Sequence, residues 1–407
     1  MTAPTLATLG GPDREGSQWT AREIAHQPET WREVAAFVES SRQAIDEFLV
    51  PLLKRGDLRA ILTGAGTSAF VGEVLAPGLS RRMGRPVDAV ATTDIVSNPR
   101  EVFAEDRPTL LVSFARSGAS PESFAATALA DQVLSDCYHL VITCDSSGTL
   151  YRRRASTNRS LALLMPEGTN DRGFAMTSSF TSMLLAGWLV LGQAPAERTV
   201  EPLAAAGEEL LASRVGAAGQ LAAAAYERIV YLGSGALKGL ARESALKMLE
   251  LTAGSVVTAF DSPMGFRHGP KAILNDRTLV VVYVSNDPYT RQYDLDVVVE
   301  LRRTVAPRSV IPVSASLDAG PPAPQNWHLN GLEAFPDSLL ALPFVLVAQL
   351  LGLYFSIAHG KTPDNPFPSG EVNRVVKGVT IHPLTDRPTR SPPPAEASTS
   401  EVNRGSA

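Results

Sequence analysis

Three charged side chains, Glu243, Lys247 and Glu250, are spaced so that they can share one face of a helix. They lie at i, i+4 and i+7, which places side chains one above another on an α-helix. A carboxylate beside an ammonium group can serve as a general base that takes a proton from carbon and returns it. The same spacing is also typical of a solvated, salt-bridged surface, and the helix pattern alone favours that second interpretation.

A second set of polar residues has the composition of a phosphate site. Its members stand between a strand-like run and a helical stretch, and they are Thr67, Ser68, Ser117, Gly118, Ser120 and Thr177. The N–H groups in the first turn of a helix have no partner within the helix, so they can bind a phosphate dianion together with hydroxyl groups. Pro121 directly follows Ser120, and proline is favoured at the start of a helix. The alternative is that Ser120 is only an N-cap.

Two glycine turns repeat along the chain. Residues 61–68 and 230–236 each run from a strand through G-x-G into a helix, which indicates a tandem duplication. A dinucleotide fingerprint would need a third glycine at position 69, where the chain has Ala69. In the second turn the third glycine, Gly239, is one position off that spacing. We therefore expect neither a nicotinamide nor a flavin cofactor.

One histidine, His268, precedes Gly269 and Pro270 in a segment with the composition of a loop. Loops held by a rigid scaffold often carry catalytic groups. A single histidine in this setting is a candidate and no more.

The elements that must position these residues follow a βαβ pattern. Strands are predicted at residues 60–63, 87–91, 110–114, 140–144, 161–165, 228–232, 256–260, 278–284 and 310–313. Helices are predicted at residues 19–54, 68–82, 121–134, 178–191, 193–225, 238–251, 294–303 and 339–359. Such alternation predicts an α/β fold with two tandem, doubly wound, flavodoxin-like parallel-sheet domains.

The same pattern divides the chain into segments. Residues 1–55 form a leader and a helical arm, residues 56–192 the first α/β domain, and residues 193–225 a helical connection. Residues 226–384 form the second domain, and residues 385–407 are a tail rich in Pro, Ser, Thr, Arg and Glu, for which we expect disorder.

Composition narrows the function classes. The net charge of −5 gives no sign of a nucleic-acid partner. Cys137 and Cys144 belong to no metal-binding pattern, so we expect buried thiols in a reducing compartment and no metal. The start of the chain has no apolar run of signal-peptide length, and the apolar segment 339–357 contains Pro343 and Gln349, which favours a core helix over a membrane span. These features predict a cytoplasmic protein.

The motifs together resemble a known family. Gly64-x-Gly66-Thr67-Ser68, Ser117-Gly118-x-Ser120, the 243–250 helix and Arg267-His268-Gly269-Pro270 occur in the order found in tandem sugar isomerase (SIS) domains. The two halves resemble the isomerase part of glucosamine-6-phosphate synthase. Residues 92–99 and 266–271 resemble the bacterial galactosamine-6-phosphate deaminase/isomerase group. The resemblance covers residues 56–383.

The resemblance implies roles for individual residues. The phosphate would be held by Thr67, Ser68, Ser117 and Ser120. Glu250 would move a proton between C1 and C2 of the sugar, with Lys247 near the substrate oxygens. His268 would assist ring opening and can reach the site of a neighbouring subunit, so at least a dimer is expected. Lys377 would close over the sugar from the C-terminal segment.

Two departures from the synthase pattern bear on function. Arg116 stands where the synthase has a neutral glutamine, and it would add a guanidinium beside the phosphate. The chain also has no N-terminal cysteine nucleophile and no glutaminase domain, which favours release of ammonia over synthesis.

The resemblance therefore implies a deaminase that isomerises a 2-amino-2-deoxyhexose 6-phosphate, with galactosamine 6-phosphate as the favoured substrate. One alternative is a plain aldose–ketose isomerase of a sugar phosphate such as tagatose 6-phosphate. Another is a non-catalytic phosphosugar sensor. It is disfavoured because no basic DNA-binding segment precedes the first half and because the positions of Glu250 and His268 are filled.

Overall fold

Two parallel sheets of five strands each form the framework of the protein. The computed structural model describes residues 14–155, 158–316, 325–376 and 378–385. The first sheet contains β1 (Arg59–Thr63), β2 (Val87–Ala89), β3 (Thr109–Ala115), β4 (Cys137–Thr143) and β5 (Ser160–Leu164). The second contains β6 (Arg228–Gly233), β7 (Val257–Asp261), β8 (Thr278–Tyr283), β9 (Val310–Ser314) and β10 (Trp327–His328).

The two sheets have the same topology. The strand orders are β2-β1-β3-β4-β5 and β7-β6-β8-β9-β10, and all neighbouring strands are parallel. Both correspond to the doubly wound order 2-1-3-4-5. In such sheets a crevice opens at the carboxyl ends of the strands where the winding direction reverses, here between β1 and β3 and between β6 and β8.

Helices cover both faces of each sheet. Their bounds are α1 (Gln18–Ala25), α2 (Gln27–Ser40), α3 (Arg42–Leu53), α4 (Thr67–Met83), α5 (Thr92–Ser97), α6 (Pro99–Val102), α7 (Pro121–Val133), α8 (Thr149–Arg154), α9 (Ser178–Leu191), α10 (Ala196–Ala223), α11 (Ala236–Leu251), α12 (Pro263–Phe266), α13 (Pro288–Thr304) and α14 (Asp337–Ala358). Because α11 of the second half packs against α4 of the first half, one hydrophobic core continues across both halves.

The predicted strands agree with the structure to within a few residues, with two differences. β4 begins at Cys137 rather than at residue 140, because Cys137, Tyr138 and His139 pair with β3. β10 was not predicted because its two residues, at the edge of the second sheet, are too short to show a periodicity.

The N-terminal segment predicted as one helix is three. α2 contributes Trp31, Val34 and Val38, all fully buried, and packs on α9 and α10. Pro51 lies inside α3, near its end.

α14 is long and apolar enough to span a membrane, and 89% of its most apolar window is buried inside the fold. This agrees with the prediction of a core helix. Cys137 and Cys144 are both free and buried, as predicted. The predicted tail, apart from residue 385, lies outside the described residues.

Candidate active site

The candidate site lies at the carboxyl ends of β1 and β3. These strands are neighbours, with Thr63 of β1 opposite Ser113 of β3, so the loops that follow them are adjacent. Gly66 is the N-cap of α4 and has a φ of +56°, a conformation that residues with a Cβ rarely adopt. This turn places Thr67 and Ser68, both buried, at the start of α4.

The β3–α7 loop supplies the second part of the site. Gly118 has a φ of +57°, and α7 begins at Pro121. Ser120 occupies the N-cap position, yet its hydroxyl caps no backbone N–H and lies 2.6 Å from the Ser123 hydroxyl. The interpretation of Ser120 as only a capping residue is therefore wrong, and the first turn of α7 has no side-chain cap.

α11 brings the charged residues from the second half of the chain. Lys247 Nζ donates to Thr67 Oγ1 at 3.0 Å and to Glu250 Oε2 at 2.5 Å, and it lies 3.5 Å from Glu243 Oε1. Lys247 thus joins the phosphate loop of one half to the carboxylates of the other. Glu243 and Lys247 are completely buried, and only Glu250 is partly exposed, at 25% of its side chain. The interpretation as a solvated helix face is wrong because α11 is packed between α4 and α14.

Burial and charge act in opposite directions on this cluster. Burial alone would lower the pKa of Lys247, but the neighbouring Glu243 and Glu250 carboxylates outweigh it and raise that pKa. Burial raises the pKa of Glu243 to about 8 although Lys247 opposes the shift. The ammonium group is therefore charged, and Glu243 holds a proton near neutral pH.

Arg116 is buried beside this cluster. Its guanidinium donates to the backbone oxygen of Arg374 at 2.7 Å and to that of Phe174 at 3.4 Å. Burial and the neighbouring Arg374 lower its pKa, whereas Asp171 and Glu250 oppose the shift. Arg116 thus fastens the C-terminal segment over the first half, within electrostatic reach of Glu250.

Thr177 has a different environment. It is fully buried, and its hydroxyl donates to Asp171 at 2.8 Å. Asp171 also accepts hydrogen bonds from the backbone N–H groups of Ser178 and Ser179, so it caps α9. Asp171 was not among the candidate residues, and its only signal in the sequence is a lone aspartate six residues before a Thr-Ser-Ser run.

His268 is exposed. It lies between α12 and a short 3-10 helix at Pro270–Ile273. Within the described part of one chain, no hydrogen bond or ion pair joins its side chain to Lys247 or Glu250. Lys377 lies outside the described residues.

One group of side chains has the composition of a metal site. The donor atoms of Asp131, Cys137 and His139 lie within 4.8 Å of one another. Asp131 already accepts from Arg154 at 2.6 Å and lies 2.7 Å from His139 Nε2. Cys137 is the first residue of β4, so the group is at the opposite edge of the sheet from the candidate site.

Comparisons with known proteins agree with this geometry. The SIS domain model matches residues 52–192. A Streptomyces coelicolor protein named "Putative D-galactosamine-6-phosphate deaminase AgaS" is 59% identical over 95% of this chain and 100% of its own length. An Escherichia coli protein named D-galactosamine-6-phosphate deaminase AgaS is 47% identical over 90% of this chain and 96% of its own.

A solved structure and a distant relative extend the comparison. The crystal structure of tagatose-6-phosphate ketose/aldose isomerase from Escherichia coli matches with a TM-score of 0.82 at 44% identity, over 92% of this chain and 99% of that one. A glutamine–fructose-6-phosphate aminotransferase of Pseudomonas putida is 27% identical over 79% of this chain and 51% of its own length. Together with the site geometry, these matches show that the chain belongs to the SIS-domain family that includes the proteins named D-galactosamine-6-phosphate deaminase AgaS.

Proposed function

We propose that this protein is an aldose–ketose isomerising deaminase that converts a 2-amino-2-deoxyhexose 6-phosphate, with galactosamine 6-phosphate favoured, into the ketose 6-phosphate and ammonia. The observation that carries the proposal is the contact chain from Thr67 through Lys247 to Glu250. It links a hydroxyl at an open helix N-terminus to a partly exposed carboxylate. A substrate with a phosphate at one end and an acidic C–H at the other can place the phosphate at that hydroxyl and the C–H at that carboxylate. The names of the closely related proteins support the amino sugar.

The reaction follows from the two ends of this series of contacts, Thr67 and Glu250. Thr67, Ser68, Ser117 and Ser120 bind the phosphate with the N–H groups of α4 and α7. In the open-chain aldehyde, Glu250 takes the proton from C2 while the C1 oxygen gains a proton from water, which gives an enolamine. Glu250 then returns its proton to C1 while the amine nitrogen loses a proton to water. The product is a ketimine at C2, which water hydrolyses to the ketone and ammonia. Lys247 stays charged and stabilises the negative charge that develops on the sugar oxygens.

Ammonia release, coupled to glutamate dehydrogenase, tests the proposal. Galactosamine 6-phosphate and glucosamine 6-phosphate should be offered side by side to the same folded protein. Ammonia release from either epimer supports the deaminase, and the epimer with the higher rate is the preferred substrate. Absence of ammonia with both epimers would contradict the proposal.

The second candidate is a plain aldose–ketose isomerase. It is favoured by the solved structure named tagatose-6-phosphate ketose/aldose isomerase, which matches nearly the whole chain. The same base and phosphate loops would serve, with a hydroxyl in place of the amine at C2. Turnover of tagatose 6-phosphate without ammonia from either amino sugar would establish this alternative.

We also propose that residues 56–192 and 226–384 are tandem SIS-type domains of a cytoplasmic protein, joined by residues 193–225 and preceded by a helical arm in residues 1–55. The identical strand order of the two sheets supports a duplication. From the family resemblance, we also propose that Arg116 and Thr177 contribute to the phosphate site and that Lys377 contributes to the sugar site.

An oligomer with shared active sites is a further part of the proposal. Exposed His268 has no partner within the described part of its own chain, so a second subunit can receive it. Leu249, Val257, Phe260 and Met264, on α11, β7 and α12 next to that loop, are between 38% and 53% exposed. Such apolar side chains suit a contact between copies of the chain.

Mixing two inactive variants tests this arrangement. Glu250→Gln and His268→Asn subunits, each inactive alone, would regain about a quarter of the wild-type activity in a randomly mixed dimer, because one of the two sites in each mixed dimer is intact. No recovery in oligomers shown to exchange subunits would mean that each site is completed by its own chain.

A further inference from the structure

The buried guanidinium of Arg116 is held by two backbone carbonyl groups from distant parts of the chain. Its Nη2 donates to the oxygen of Arg374 at 2.7 Å, and its Nη1 donates to the oxygen of Phe174 at 3.4 Å. These bonds use only some of the guanidinium N–H groups, so others remain to face an anion. Because the side chain is long and has many rotamers, the two carbonyl groups determine where those N–H groups point.

The C-terminal segment that carries Arg374 is fastened to the N-terminal helix α1. The residue at the N-cap of α1, Ser17, makes no side-chain capping bond. Asp364 caps the helix instead, by accepting from the backbone N–H groups of Trp19 at 3.1 Å and of Thr20 at 2.8 Å. It also accepts from the Thr20 hydroxyl at 2.8 Å. A capping residue that follows α14 in the chain thus attaches the C-terminal segment to α1.

The loop that carries Phe174 is fastened to the same helix. Glu23 of α1 is buried, and its carboxyl group accepts from the backbone N–H groups of the two residues that precede Phe174. The ring of Phe174 also contacts the ring of Phe367 in the C-terminal segment, with 5.3 Å between the ring centroids. Both segments that supply acceptors to Arg116 are therefore held by α1.

We propose that Asp364 is a positioning residue: by capping α1, it fixes the C-terminal segment and so orients the Arg116 guanidinium toward the phosphate of the substrate. The N-terminal helix then serves the candidate active site and is more than an outer layer of the fold. This inference rests on the proposed function and on the proposed place of Arg116 in the phosphate site.

Steady-state kinetics of Asp364→Ala test the inference. We expect KM for galactosamine 6-phosphate to rise by about tenfold and kcat to stay within about twofold of wild type, because a misplaced Arg116 weakens phosphate binding equally in the ground state and the transition state. Asp364→Asn should restore most of the wild-type KM, since asparagine is also a good helix cap. A KM in Asp364→Asn as high as in Asp364→Ala would contradict the capping role.

Asp287→Ala is the matched control. Asp287 also accepts from two backbone N–H groups in the first turn of a helix, but that helix is α13 of the second half. Its loss should leave KM unchanged. A rise in KM equal to that of Asp364→Ala would show that the loss of any cap has this effect, and it would overturn the inference.

A double-mutant cycle with Arg116→Gln separates positioning of Arg116 from a general loss of stability. If Asp364 acts through Arg116, Asp364→Ala should change KM by less than about twofold in the Arg116→Gln background. Two KM effects that simply multiply would overturn the inference. So would a wild-type KM in folded Asp364→Ala or in folded Arg116→Gln.

If Asp364→Ala does not fold, Thr20→Val serves instead. It keeps the size of a buried side chain and removes one of the hydrogen bonds to Asp364. KM should rise by about threefold with kcat nearly unchanged, and a wild-type KM would again overturn the inference. Failure of the proposed function would be seen separately, as absence of ammonia release by the wild-type protein.

Discussion

The carboxyl edges of the two sheets are built alike and filled differently. Both have the 2-1-3-4-5 strand order and the same glycine turn, with φ and ψ of 56° and −129° at Gly66 and 55° and −121° at Gly235. In the first half, hydroxyl groups lie at the N-termini of α4 and α7, which have no side-chain cap. In the second half, α11 likewise has no side-chain cap, whereas a carboxylate caps α13.

Two aspartates close the second edge. Asp294 is fully buried and accepts from Ser234 Oγ at 2.5 Å and from Ser285 N at 3.0 Å, so it joins the β6–α11 and β8–α13 loops. Asp287 caps α13 by accepting from the backbone N–H groups of Tyr289 and Thr290. The second edge therefore carries carboxylates of its own, of which Asp294 is buried, whereas hydroxyl groups lie at the N-termini of α4 and α7 at the first edge.

The charged residues also differ between the two edges. Aligning Gly66 with Gly235 places Arg81 of α4 at the position of Glu250 in α11, and Gly78 at the position of Lys247. Arg81 and Gly78 line a cavity of about 550 Å³ together with Asp287. This second cleft therefore has an arginine and a glycine where the first has Glu250 and Lys247, so the duplicated fold repeats the cleft and not its residues.

The largest effect should come from removing the charge at one of these two equivalent positions, Glu250 and Arg81. Glu250→Gln should lower kcat by about a thousandfold with KM nearly unchanged, because the amide cannot accept the C2 proton. Arg81→Gln, at the equivalent place in the second cleft, should leave ammonia release within about twofold of wild type. Steady-state kinetics of both variants check this. A comparable loss of kcat in Arg81→Gln would contradict the inference that only the first cleft is the active site.

A smaller effect is expected from the two helix N-termini. The double change Ser117→Ala and Ser120→Ala should raise KM by about a hundredfold, since the two hydroxyls to a charged phosphate together contribute about 2 to 3 kcal/mol. Asp287→Ala should leave KM unchanged and lower the free energy of unfolding by about 1 kcal/mol through loss of a cap. Kinetics and urea unfolding of the same preparations separate the two, and a raised KM in Asp287→Ala would contradict the assignment.

The smallest effect concerns the internal anion. Burial raises the pKa of Asp294 from its ordinary value of 3.8 to about 6. The folded protein therefore binds this proton more tightly than the unfolded chain, and the associated stability is present below about pH 4 and lost as the pH rises through about 6. Asp294→Asn removes this dependence and one acceptor, worth about 1 kcal/mol.

Urea unfolding of wild type and Asp294→Asn between about pH 4 and about pH 7 measures how the free energy of unfolding depends on pH. The stability advantage of the wild type over the variant should shrink as the pH rises. A difference that does not change with pH would show that Asp294 is not the buried titrating group of the second edge.

Much of the framework was predictable from sequence. Strand β8, with six buried residues in a row, and the apolar α9 have patterns that depend only on local composition. β4 was less predictable, because its first residues are strand through pairing with β3, a contact between distant parts of the chain. The single predicted N-terminal helix failed at His26 although Pro28, in the first turn of α2, is a signal for a helix start. It failed at Ser41 because no glycine or proline lies at that break.

The candidate site divides in the same way. The spacing of Glu243, Lys247 and Glu250 was evident, and their burial was not, since the i, i+4 and i+7 pattern is the same on a buried helix and on a solvated one. Thr177 and Ser120 were equally plausible from sequence. Only the structure showed that the Thr177 hydroxyl donates to Asp171, which caps α9, while Ser120 lies at an α7 N-terminus without a side-chain cap.

The sequence by itself determined the local elements of this protein: two strand–glycine–helix turns, a run of hydroxyl groups before α7, and three charged residues on one face of α11. The tertiary structure decided which of these form a site. Lys247 and Thr67 are 180 residues apart, and their contact exists only because α11 packs on α4. Burial and charge pairing depend on such distant neighbours, and for that reason two halves with the same turns carry different chemistry.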